Sequence, residues 1–145
     1  MPDALQYGLF LGGEFVPSRT KNTFPVHNPH DDRLLAEVAE AGEEDVEAAV
    51  DAARQAFDGA WGALTAKERG KLLFQLAQRI EASAEHLARL EALNTGHPIR
   101  DVRRFDVVRT VDWFEYFAGM ATKVQGDVIP SSFKGVLNYT LREPL

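Results

Sequence analysis

Four histidines, at positions 27, 30, 86 and 97, and several clustered acids are the residues here that could bind a metal or move a proton. His27 and His30 flank Asn28-Pro29, but a zinc site needs three or four ligands and none of the usual spacings follows, so the pair reads as a polar loop. Glu43, Glu44, Glu47 and Asp51 have no base beside them and nothing to desolvate them, which makes them a solvated helix face rather than a carboxylate site. The sequence contains no cysteine, so within these residues there is no thiolate nucleophile, thiolate metal site or disulfide. It also lacks a glycine-rich dinucleotide or phosphate loop, a His-Glu-x-x-His helix and a nucleophile elbow. Trp113, Phe114, Tyr116 and Phe117 could stack a ligand, but aromatics at helical spacing are expected to fill a core.

The elements that must position these residues are legible in the patterning. Leu9 to Val16 places two apolar runs around Gly12-Gly13, a pair that can supply the positive φ of a tight hairpin turn. Phe24-Pro25-Val26-His27-Asn28-Pro29 holds two prolines that forbid helix and favour an extended, irregular path. Leu34 to Val38 reads as a short strand. From Glu43 the period becomes helical, with Val46, Ala49, Val50, Ala53 and Phe57 on one face, acids in the first turn, and an end near Gly59. Thr65-Ala66-Lys67-Glu68 has the form of a capping box opening a second helix through Ile80. A third helix follows Ser83 and stops at Gly96 with Pro98 beyond it. A fourth, from about Asp101 to about Ala118, is apolar on more than one side and is expected to lie between layers. Val128-Ile129 and Val136 to Leu141 then suggest a strand pair around a turn.

The 145 residues suffice for one ordinary domain, since domains cluster at about 100–150 residues. Sixteen Lys and Arg against 22 Asp and Glu give a net charge of −6, with no basic concentration, which argues against nucleic acid as a partner. A composition 45% hydrophobic and 26% charged is that of a soluble globular protein. No apolar run approaches the roughly 18 residues of a membrane helix and no secretory leader is visible, so the cytoplasm is the expected compartment.

The order and wording of these segments resemble the N-terminal part of the aldehyde dehydrogenase superfamily. Phe10-Leu11-Gly12-Gly13-Glu14-Phe15 looks like its opening hairpin, Val26-His27-Asn28-Pro29 like its asparagine-proline turn, and Ala36-Glu37-Val38 like the strand that follows. Leu90 to Pro98 is close to a characteristic helix end, and Glu115 to Gly119 and Leu137 to Leu145 complete the series. The resemblance implies an α/β fold: the helix-rich N-terminal part of a Rossmann-like cofactor domain over residues 1–125, an incomplete domain, followed by the start of oligomerisation strands over 126–145. It implies oxidation of a small-molecule aldehyde to a carboxylic acid with NAD or NADP in a homo-oligomeric parent enzyme. In the family a cysteine thiolate attacks the aldehyde, hydride passes to nicotinamide and a glutamate-activated water releases the acid. Those groups lie beyond Leu145 in family members, so no catalytic or cofactor residue is carried over and the chain alone is expected to be inactive. Many members hold a structural monovalent cation between two main-chain carbonyls and an Asp; the matching positions here are Val26, His27 and Asp106. His97 departs from the lysine that often precedes this proline. The alternative is a non-catalytic oligomerisation or interaction module.

Overall fold

In the computed structural model, which describes residues 5–143, the chain is a mixed α/β assembly of four helices and three small sheets among the described residues. The expected hairpin is β2 (Leu9–Leu11) paired antiparallel with β3 (Glu14–Val16), and β1 (Leu5–Tyr7) precedes it. Gly12 and Gly13 both take positive φ, 61° and 93°, a conformation that admits glycine at little cost.

The proline-bearing segment is more regular than the sequence suggests, because β4 (Thr23–His27) pairs antiparallel with β5 (Leu34–Ala39). Pro25 is tolerated there because β4 is an edge strand in the order β1-β5-β4. Central β5 also receives β1 in parallel, with Leu5 opposite Ala36 and Tyr7 opposite Val38. That strand carries no local signal; its partner lies some thirty residues away. Ala36 and Ala39 of β5 are buried.

Helix α1 (Glu43–Asp58) starts at Gly42 under a buried carboxylate: Asp45, 4% exposed, accepts N–H bonds from Gly42 at 3.0 Å and from Arg19 at 3.1 Å. Its side chain therefore ties the helix start to the loop after the hairpin. Helix α2 (Ala66–Ala82) opens on the expected box, with Thr65 N donating to Glu68 Oε2 at 2.8 Å and Glu68 N donating to Thr65 Oγ1 at 3.3 Å. Helix α3 (Ala84–Thr95) ends at Gly96, left-handed at φ 75°, whose N–H donates to the Ala92 carbonyl. The fourth helix, α4, begins with one turn (Ile99–Asp101), widens into a π-helical segment (Val102–Asp106) and continues as regular helix (Val107–Met120).

Helix α4 packs on α2 where Gly70 leaves room: a Cβ there would sit 2.7 Å from the Ala118 carbonyl oxygen. Helix α4 lies between α2 and a cavity shared with β4 and β5, but three of its four clustered aromatic residues stay exposed, against the expectation that they fill a core. Trp113, Tyr116 and Phe117 are 58%, 57% and 54% exposed; Trp113 stacks on Phe117 and Tyr116 meets both rings edge-on. Val102, in the π segment, is the large side chain that is fully buried. The last described residues form β6 (Val128–Ile129) and β7 (Asn138–Tyr139), antiparallel and closed by reciprocal bonds between Asp127 and Thr140. No helix among the described residues is long and apolar enough to cross a membrane.

Candidate cation site

Two backbone irregularities border a cavity of about 760 Å³, lined by Tyr7, Val26, Leu87, Leu90, Val102 and Asp106 among others. The first is a bulge in the β4–β5 ladder. Val26 pairs with Ala36 but His27 with Leu34, so the register slips between the two residues picked out from the sequence. A bulge disrupts the ladder locally and leaves main-chain carbonyls there less committed to the sheet. The second is the π segment, a form often found at functional positions, whose last residue is Asp106.

The loop between them is pinned. Gly96 touches the Asn28-Pro29 turn so closely that a Cβ would lie 2.9 Å from Pro29 Cγ, in addition to the strain of its positive φ. Asn28 is buried, its carbonyl oxygen accepts from Asp32 N, and its side chain accepts from His30 N at 3.0 Å. His27 Nδ1 donates to the Asp32 carbonyl at 2.9 Å, which ties its ring to the turn that follows.

Of the three positions, Val26 and Asp106 share the cavity wall and His27 lies beside it at the bulge. The Asp106 carboxylate is already held on one side: His97 Nδ1 donates to Oδ2 at 2.8 Å. This partner escapes sequence reading, although the His-for-Lys departure marks its position. Two neighbouring carboxylates are paired with arginines. Arg100, bonded at 2.9 Å, holds the Asp101 carboxyl below its usual range. Glu85 is pushed down to about 2, first by its hydrogen bond from Arg103 and then by that from Arg89. No cluster of three His, Asp or Glu side chains gathers among the described residues. A single carboxylate with main-chain carbonyls is an all-oxygen set suited to a hard cation of single charge, not to zinc.

The helix starts carry acids that suit their dipole ends: α1 opens on Glu43, Glu44 and Asp45, α2 on the Thr65–Glu68 box, and α3 has Glu85 in its first turn.

Comparison with known proteins places the chain by its sequence and fold. The sequence model of the aldehyde dehydrogenase family matches residues 15–145. Aldehyde dehydrogenase 1 of Tanacetum cinerariifolium is 44% identical over 94% of this chain, which spans 28% of that protein. An NAD+ complex structure of aldehyde dehydrogenase from Bacillus cereus superposes with a TM-score of 0.92 at 45% identity, covering 96% of this chain and 28% of that one. PnpE from Pseudomonas sp. WBC-3 superposes at 0.88 and 52% identity, over 93% of this chain and 27% of its own. The chain thus spans somewhat more than a quarter of the length of these relatives, and it belongs to the aldehyde dehydrogenase family.

Proposed function

We propose that these residues serve as the N-terminal part of an NAD(P)-dependent aldehyde dehydrogenase that oxidises an aldehyde to a carboxylic acid, with the cytoplasm as its compartment. The observation that carries the reading is the superposition on an NAD+-bound aldehyde dehydrogenase over almost the whole chain. On this reading residues 1–125 are the first part of the cofactor-binding domain and 126–145 the start of the oligomerisation strands. NAD or NADP would supply the hydride acceptor when bound, but the residues that grip it are not among these, since every long helix start here is taken by an acid. The part assigned to this chain is scaffolding: it carries the cation site and offers apolar faces to further polypeptide. Trp113 and Phe117, stacked on each other and each about half exposed, are such a face.

The cation is sodium or potassium, held by the carbonyls of Val26 and His27 and one Asp106 oxygen. Its role is to brace the sheet against α4. The test of the enzymatic reading is the coding sequence beyond codon 145, together with NADH and NADPH formation by the protein it encodes and by the 145-residue chain. A cysteine-bearing continuation with aldehyde-dependent turnover, and none by the short chain, is the expected result. No such continuation, or turnover by the cysteine-free chain, overturns it.

A second reading, a non-catalytic oligomerisation module, draws on the exposed strand pair. Val128, Leu137 and Leu141 are 74%, 73% and 70% exposed, an apolar edge left open among the described residues. An assembly that forms through these strands without any coding continuation would favour it.

A further inference from the structure

We propose that the cavity between the three-stranded sheet, α3 and α4 binds an amphiphilic primary amine, its apolar body laid on the sheet and its ammonium head at the helical wall. The inference does not rest on the enzymatic reading, and it shares only Asp106 with the cation reading. A volume of about 760 Å³ is that of a small-molecule pocket, roughly 300–1,000 Å³. Its floor is an apolar sheet face. Tyr7, Val38 and Phe24 lie in one cross-strand row and Val26 and Ala36 in the next, so these side chains share one side of the sheet. The wall from α3 changes character along its length: Leu87, Leu90, Glu91 and Asn94 follow helical spacing down one face, apolar toward the start and polar toward the end. Helix α4 adds Asp106, Val107 and Thr110. Apart from the Tyr7 hydroxyl, every polar side chain of the lining stands on these two helices, and the lining holds two acids and no Lys, Arg or His.

The polar end is built of acceptors. Thr110 Oγ1 has given its proton to the Asp106 carbonyl at 2.7 Å, so only its lone pairs remain for a ligand. His97 donates to Asp106 Oδ2 and leaves Oδ1 without a bond among the described residues. Arg103, in the same π segment, is held by Glu85, and Glu91 takes part in no ion pair among the described residues. The end of α3 that carries Glu91 and Asn94 has no basic residue in its last turn and adds the negative end of a helix dipole. Acceptors of which two are charged call for a ligand that brings both N–H donors and positive charge, and a primary ammonium brings three donors with its charge. A fatty alcohol or a carboxylate of the same length would cover the acids without compensating them. A polypeptide segment is a poorer occupant, since its own N–H and C=O groups would meet the apolar floor without partners.

The test is calorimetric titration of the 145-residue chain with octylamine, octanol, octanoate and octyltrimethylammonium at one pH and one sodium concentration, with amide chemical shifts locating each ligand. Octylamine is expected to saturate at one equivalent and to shift amides of β4, β5, α3 and α4 around the cavity. Octanol and octanoate should bind about tenfold more weakly or worse, and octyltrimethylammonium, which keeps the charge but has no N–H, should fall between. E91Q and D106N, both close in shape to the native residues, should each weaken octylamine about tenfold and leave octanol unchanged. Equal affinities for octylamine and octanol, or native octylamine affinity in both variants, would overturn the proposal. Shifts confined to the exposed Trp113 and Phe117 face or to β6 and β7 would do the same, and equal binding of octyltrimethylammonium would overturn the primary amine. The cation reading is tested apart, by the rise of the unfolding midpoint with sodium in the native chain and in E91Q, which keeps Asp106. No rise in either removes the alkali cation and leaves the amine site standing.

Discussion

Glu85 shows how much of this molecule's charge is spent on tying elements together. It accepts from Arg89 one turn on in α3 at 2.7 Å and from Arg103 in the π segment, linking the two ends of the helix–corner–helix path that carries Asp106. The folded carboxyl titrates at about 2 against an ordinary 4.5, so its contribution is present above pH 4.5 and is lost as the pH falls from there toward 2. E85Q should therefore flatten the acid limb of a midpoint-versus-pH curve and meet the wild type near pH 2; parallel curves for the two proteins would contradict this. High salt should shrink the difference, because the pair is exposed. Asp45 is the opposite case. Buried and accepting two main-chain N–H groups, it should cost about 1–3 kcal/mol when replaced by Ala, since the donors are left unpaired. Denaturant titration of D45A measures that. A loss below a few tenths of a kcal/mol would mean that water takes the carboxylate's place.

Elements defined by local signals were legible in the sequence, and elements defined by distant partners were not. The Gly12-Gly13 turn, the Thr65–Glu68 box and the Gly96 stop each depend on neighbours within a few positions, and all three stand where the residues put them. Strand β1 depends on β5, the burial of Asp45 on the Arg19 main chain, and the His97–Asp106 contact on two turns of helix in between, so none has a local signature. The π segment within α4 has none either, and the aromatic face of that helix misleads because composition does not say which side a neighbour covers. Two substitutions test the local devices by chemical denaturation. T65A should destabilise by about 1 kcal/mol through loss of the N-cap. G96A should cost about 1–2 kcal/mol, for a left-handed non-glycine residue and a Cβ pressed on Pro29. No loss at Gly96 would mean that the corner relaxes without resistance.

At the scale of the whole molecule, the buried apolar residues are few and small, Ala36, Ala39, Ala77, Ala88 and Val102, while aromatic and aliphatic side chains lie open on several faces. A chain so arranged is marginal alone and gains from a partner. The strand pair of residues 126–145 is the most exposed of these faces, with Phe133 77% open beside Val128 and Leu137. Self-association through it is expected: light scattering should give a dimer or larger species for the chain and a smaller one after deletion of residues 126–145. A monodisperse monomer before deletion would refute this.

The three-stranded sheet, by contrast, can be extended from one side only. Its β4 border lacks the Pro25 N–H and is broken at Val26–His27, so an incoming strand finds a gapped row of donors; β1 at the opposite border carries no proline. The sheet is therefore polar in its capacity to grow. An added strand would find an ungapped row of partners beside β1, at the border opposite the bulge.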